Sequence, residues 1–481
     1  MRRDLPLATN RSGSRRGLII GLVLVLVVAL GAGAYFVFFR SSGEADVANS
    51  TSTTSVNPNE NGAIDPLVLA KGVQITPVTP GPAAPSAAGV GAALAGPIGA
   101  LAPAQFNGII IDAATDTTLL DTNAAAPQIP ASTAKLLTGA AVLTSLEPQA
   151  VLTTKVVQGS APGAIVLVGG GDVTLSARKG QETMYPGAAS MTDLATQIKA
   201  AGITVTKIET DTTRWGSDEL AEGWLAADIG DASNPGDITH MSPIMVDGDR
   251  IKSGINHSGR TGDPTNAAAK ALAVALGNPA IAITTGITAD PSAAVLASVT
   301  SQPISVLLAQ ALENSDNILA EALGREVAIK EGAPATFGGA VSAITLKLQQ
   351  LGLDTAGMVL ADASGISNSD RVPPRLLAQV LALAVKSGDT NLRDLVVGIP
   401  IAGATGTLSD RFKAGTASEA ARGWLRAKTG SLNATYALAG VVPGADGRIF
   451  VFAFSVNNVN GETTRPAMDA VAATLRGCGC A

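Results

Sequence analysis

Ser132 and Lys135 stand three residues apart in PQIPASTAKLLTGAAVLTSL, a spacing that puts both side chains on one face of a helix. A serine hydroxyl is a weak nucleophile until a neighbouring base takes its proton. Lysine serves as that base only where burial or another cation lowers its pKa. A lysine one turn along an apolar helix satisfies the geometric half of that requirement; the plainer reading is a helix cap followed by a surface lysine. Ser176 and Lys179 repeat the spacing in SARKGQE, but that run is polar and no apolar helix follows it. Ser132 is therefore the better nucleophile. A second cluster, Ser315 and Asn317, offers a hydroxyl and an amide where the helical text ISVLLAQALENSDNILAEALGREVA is broken at 314–317. The same Ser-x-Asn spacing at 55, 431 and 455 falls in linker-like text or apparent strands. A third, Lys428-Thr429-Gly430, supplies a cation and a hydroxyl for an anionic substrate end, with a glycine where a backbone can approach closely. Arg260-Thr261-Gly262 is a looser imitation with no strand after it.

The elements that must hold these groups are readable in outline. NGIIIDAATDTTLLDTN predicts two short strands, 108–112 and 117–121, joined at a turn. Pro130 keeps the residue before it extended, and Ser132 is expected to cap a helix running through Ala141. WLRAKTGSLNATYALAGVVP predicts a strand with Lys428 at its start. Between the first two clusters, VLTTKVVQGSAPGAIVLVGGGD and ITVTKIETD read as β-rich, with a helix over MTDLATQIKAAG.

Around this body the chain changes character. Residues 17–39 are an uncharged apolar run of 23 residues, which as a helix would span about 34 Å, enough to cross a bilayer core. Five arginines precede it and one follows, which predicts a cytoplasmic tail (1–16) and an extracytoplasmic body. The alternative is a cleaved signal peptide with its site at Ala32-Gly33-Ala34, and a secreted protein. Residues 40–100, rich in Ser, Thr, Pro, Gly and Ala, read as a flexible linker. The 481-residue chain is 46% hydrophobic with net charge −6, and the part beyond residue 40 is more acidic still. That balance, with 3% aromatic residues, argues against nucleic acid as a partner. Two histidines leave little for a His-built metal site, and no cofactor is implied. Cys478 and Cys480, in the 477–481 tail, are expected to form no structural staple.

SxxK, SxN and KTG in this order, each on a suitable element, are specific together where each alone is weak. At these residues the chain resembles the penicillin-binding proteins and serine β-lactamases, and most closely the D-alanyl-D-alanine carboxypeptidases and endopeptidases of the penicillin-binding protein 4 class. The likeness covers nearly all of 105–475. LVGGGDVTL is similar to the family's GGGDPTL, with Val173 for proline; ADASGIS to its DGSGLS, with Ala363 for glycine; SDNILAEAL and IAGATGTLSDRF also match.

The resemblance implies an α+β fold: an antiparallel sheet flanked by helices (101–155 and 300–476), with a β-rich domain (156–299) inserted between the SxxK and SxN motifs. The 183 residues from Ser132 to Ser315 leave room for that insert. It also implies a mechanism. Ser132 would be acylated by a peptide ending in D-Ala-D-Ala, with Lys135 taking its proton. Ser315, set by Asn317, would relay a proton to the departing D-alanine. Lys428 would keep the field positive and Lys135 neutral, while Thr429 and Ser431 receive the substrate carboxylate beside Gly430. Backbone N–H groups of Ser132 and Ser431 would bind the oxyanion. The implied partners are peptidoglycan peptides, β-lactams as covalent inhibitors, and the membrane through the N-terminal helix. Two other functions remain open at this point: a β-lactamase-like hydrolase, though no ExxLN pattern lies between Ser132 and Ser315, and a non-catalytic wall-binding module.

Overall fold

The structure is a computed structural model that describes residues 85–101, 106–459 and 463–478. The expected membrane segment 17–39 lies outside the described residues, and among those described no helix is long and apolar enough to cross a membrane.

Part of the expected linker is ordered. Helix α1 (Ala87–Gly99) starts where the Ser86 hydroxyl accepts from the Gly89 N–H, and Val90 and Leu94, one turn apart, are buried. Strands β1 (Phe106–Asp112) and β2 (Thr118–Thr122) form the expected hairpin, and a 3-10 turn (Ala131–Ala134) runs into α2 (Lys135–Ser145). Then come β3 (Thr153–Gln158), β4 (Ala164–Val168), β5 (Asp172–Leu175), α3 (Met191–Ala200), β6 (Lys207–Asp211) and β7 (Ile244–Val246). Helix α4 (Pro264–Leu276), β8 (Ala282–Thr284) and β9 (Val295–Thr300) complete that stretch. The remainder is α5 (Ile304–Glu313), α6 (Asn317–Lys330), α7 (Phe337–Gln350), α8 (Pro374–Lys386) and α9 (Thr390–Gly398), then β10 (Arg426–Leu432), β11 (Thr435–Pro443), β12 (Ile449–Asn457) and α10 (Thr464–Gly477). WLRAKTGSLNATYALAGVVP is thus a hairpin and not one strand. Ala434, at φ 56, sits in its two-residue turn.

The principal sheet is antiparallel, in the order β10-β11-β12-β1-β2. Both of its faces are covered, and strand periodicity shows how. Along β12, Phe450, Phe452 and Phe454 point towards α1 and α10, with the last two rings stacked at 4.9 Å. Val451 and Ala453 point the other way, into the core shared with α2 and α8. Each phenylalanine so buried contributes roughly 1.5–3 kcal/mol. A second sheet, β8-β6-β4-β3-β9, is drawn from 153–300 and is mixed: β4, β6 and β8 run parallel, β3 antiparallel to its neighbours. Helices α3 and α4 close its core through Leu194, Ile198, Ala269 and Leu272. At the C-terminus Cys478 is buried and disulfide-bonded.

Candidate active site

The turn carrying Ser132 is shaped by the residue before it. Ala131 is fully buried with φ 46, and the Thr133 hydroxyl donates to the Pro130 carbonyl at 2.6 Å. Ser132 therefore lies inside the 3-10 turn with its hydroxyl in a cleft; it does not cap α2, whose start has no side-chain cap. Residues 135–143 are buried all round, as an apolar helix in a core should be. That burial includes Lys135, 1% exposed. Its Nζ lies 3.0 Å from Ser132 Oγ, 2.6 Å from Asn317 Oδ1 and 2.7 Å from the Ser364 carbonyl.

Two of those three partners can only accept, whereas the hydroxyl can accept or donate. A neutral amine fits the same geometry as an ammonium, by donating to Asn317 and Ser364 and receiving the Ser132 proton on its lone pair. Burial pushes the Lys135 pKa down to about 8, against the opposing pull of Asp362, Glu321, Asp316 and Asp237. A shift of that size favours the neutral amine by roughly 3 kcal/mol.

Ser315 sits where α5 ends and α6 begins. Asn314 closes α5, Ser315 has φ 57, and the Asp316 carboxylate caps α6 by accepting from the Leu319 N–H at 2.9 Å. A non-glycine residue in the left-handed region needs surroundings that hold it there. Asn317 bridges two parts of the chain, accepting from Lys135 and donating through Nδ2 to the Asp237 carbonyl at 3.1 Å.

Lys428, in mid-strand on β10, is fully buried; its Nζ donates to Ser315 Oγ at 2.9 Å and to the Thr429 carbonyl at 3.0 Å. Burial, then the nearby Lys135 and Arg411, press the Lys428 pKa well below its usual value.

Gly430 explains the close approach of β10 to the nucleophile's turn: a Cβ there would fall 2.7 Å from the Pro130 carbonyl oxygen. Thr429 Oγ1 lies 2.8 Å from Thr407 Oγ1, and Ser431 is exposed into the cleft. Ser132, Ser315, Asn317, Thr429 and Ser431 line one cavity of about 970 Å³ together with Asp237, His257 and Arg411. The competing motifs go elsewhere. Ser176 hydrogen-bonds the Arg178 and Ala189 carbonyls, Lys179 pairs with Asp193 on the surface, and Arg260 is buried on the Gly248 and Gly236 carbonyls.

Sequence reasoning missed the support behind Lys135. In ADASGIS, the Asp362 carboxylate gathers the N–H groups of Ser364, Gly365 and Ser367 and the Trp224 indole N–H. Glu321 accepts from the Ala363 and Ser364 N–H groups. This buried frame aims the Ser364 carbonyl at Lys135. Its sequence signals were the family likeness of ADASGIS and SDNILAEAL and a glycine, Gly365, required at φ 81 where a Cβ would strike the Ala131 carbonyl. Thr407 lay in the matching run IAGATGTLSDRF without an assigned role, and Asp237 carried no signal.

The family model described as D-Ala-D-Ala carboxypeptidase 3 (S13) matches residues 90–271 and 253–477. Carboxypeptidase DacB of Mycolicibacterium smegmatis is 41% identical over 460 residues, 95% of this chain and 96% of that protein. A carboxypeptidase of Mycobacterium tuberculosis is 42% identical over 84% of this chain and 87% of its own length. Among solved structures, penicillin binding protein 4 (dacB) of Haemophilus influenzae shares the fold with a TM-score of 0.65 at 22% identity, covering 79% of this chain and 98% of that one.

Proposed function

This chain belongs to the D-Ala-D-Ala carboxypeptidase 3 (S13) family and is a serine D-Ala-D-Ala carboxypeptidase, and we propose that it trims peptidoglycan stem peptides through an acyl-enzyme on Ser132. The supporting observation is the meeting of three distant segments: Lys135 on Ser132 and Asn317, and Lys428 on Ser315, within one cavity.

In this reading neutral Lys135 takes the Ser132 proton as Oγ adds to the carbonyl carbon of the penultimate D-alanine. The oxyanion is met by the Ser132 and Ser431 N–H groups; elsewhere the loss of one such donor costs about 2.7–4 kcal/mol. The C–N bond then breaks, and the proton held by Lys135 reaches the departing amine through Ser315. Terminal D-alanine leaves, and Ser132 carries the ester. Water, deprotonated by the regenerated Lys135, hydrolyses that ester and restores the hydroxyl. Thr429, Ser431 and Lys428 receive the terminal carboxylate. A β-lactam would follow the first half of this course and stop at the ester. The apolar segment 17–39 would hold the enzyme in the membrane with its body outside, so the full chain is expected in a washed membrane fraction.

Ser132→Ala should abolish labelling by a fluorescent penicillin and release of D-alanine from a pentapeptide. Ser176→Ala should leave both intact. Labelling that survives Ser132→Ala would remove Ser132 from this role. Weighing the products of digested muropeptides distinguishes loss of one D-alanine from conversion of cross-linked dimers to monomers.

A further inference from the structure

We infer that Arg250 and Tyr185, far from the motifs in sequence, are positioning residues that fix Ser315 and Asn317 by clamping the aspartate between them. The inference rests on the acyl-enzyme reading above and assigns part of its geometry to the stretch between the first and second motifs.

Asp316 divides its carboxylate between two tasks. Oδ1 caps α6. Oδ2 receives the Tyr185 hydroxyl at 2.8 Å and Arg250 Nη2 at 3.1 Å, while Arg250 Nη1 also reaches the Tyr185 oxygen at 3.1 Å. The ion pair is deeply buried, with side-chain exposures of 2% and 5%. A buried pair of this kind is weak evidence for stability, because desolvation offsets much of the attraction; its better-attested use is to fix one arrangement over others.

The support beneath Arg250 suits that use. Asp247, Gly248 and Asp249 have φ of 48, 58 and 68, three successive residues in the left-handed region. Side chains lock this turn: Asp247 accepts from the Thr183 hydroxyl and the Gly254 N–H, Asp249 from the Thr239 hydroxyl and the Gly262 N–H, and Arg260 donates to the Gly248 carbonyl. Strain held so firmly gives Arg250 a fixed origin. The same region supplies the Asp237 carbonyl to Asn317. Ser315, itself at φ 57, is thus followed by two residues tied to this stretch. Without the clamp the left-handed peptide has little reason to persist, and the Ser315 hydroxyl would leave Lys428.

The decisive variant is the pair Arg250→Gln with Asp316→Asn. It removes both charges together, leaving neither stranded, and keeps an asparagine as helix cap. The expected protein melts near the wild-type temperature and has a KM within about threefold. Its single-turnover acylation by a fluorescent penicillin falls on the order of tenfold. Adding the pair to Ser315→Ala should slow acylation no further, since the clamp acts through that hydroxyl; a purely structural lesion would multiply with it. Tyr185→Phe, which deletes one hydroxyl, should lower kcat by about threefold at unchanged KM and serves if the double variant does not fold. Wild-type acylation rates in either variant, or a multiplicative loss with Ser315→Ala, would overturn the clamp. Wild-type labelling and its loss in Ser132→Ala, read in the same assay, separate that result from a failure of the acyl-enzyme chemistry.

Discussion

At the scale of single residues, the two buried lysines differ in what surrounds them. Burial lowers both pKa values, against the pull of four carboxylates at Lys135 and together with the nearby Lys135 and Arg411 at Lys428. A substrate carboxylate arriving at Thr429 and Ser431 would bring negative charge to Lys428 and raise its hold on a proton. Once charged, Lys428 presses the proton off Lys135, since coupling between two sites acts equally in both directions. Lys135 must be neutral to act, so activity rises with pH through its pKa. In the free enzyme, read by kcat/KM, the acidic limb should fall near pH 8. In the complex, read by single-turnover acylation at saturating peptide, the limb should lie at lower pH. Coincident limbs would mean that substrate charge does not reach Lys135.

At the scale of elements, the width of the cleft is set where β10 passes the 3-10 turn. Gly430→Ala would drive a methyl group to 2.7 Å from the Pro130 carbonyl, a backbone atom that cannot step aside alone. The variant should stay folded, melt several degrees lower, and acylate about tenfold more slowly, because the displaced turn carries Ser132. Unchanged acylation by a fluorescent penicillin would show that the turn absorbs the shift without moving its serine. This approach was legible beforehand only as a glycine inside a motif, as were the helix break at Ser315 and the hairpin 108–122. Local periodicity and local turn chemistry carry that kind of information. What stayed hidden depends on partners far away in the chain. Ser132 sits within a turn because Ala131 packs against the DASG loop, and Asp316 is held by residues 66 and 131 positions distant. The hairpin at Ala434 was missed because β10 and β11 read as one continuous run of small and apolar residues, broken only by Asn433-Ala434.

At the scale of the whole molecule, the frame behind Lys135 stores protons, and stability must depend on pH through it. Burial and the neighbouring Asp362 push the Asp370 pKa up to about 9. Glu321, buried beside them, is raised to about 8 for the same reasons. For an acid whose pKa is higher folded than unfolded, the folded state binds the extra proton between the two values. The stabilisation is complete below the unfolded pKa near 4 and drains away as pH climbs towards the folded one. The two buried lysines, both lowered, work in the opposite sense, Lys135 above about pH 8, so a single variant is needed to isolate the frame. Asp370→Asn isolates one contributor. Its amide oxygen can still accept from the Ala361 N–H, as Oδ1 does at 2.7 Å. At pH 4 the variant should match the wild type. By pH 8 it should be more stable by on the order of 2–4 kcal/mol, since it no longer takes up a proton on folding. Denaturant titrations of both proteins at pH 4, 6 and 8 measure this directly. An asparagine variant less stable than the wild type at pH 8 would mean that Asp370 is ionised in the folded protein and that the frame holds its charge by some other contact.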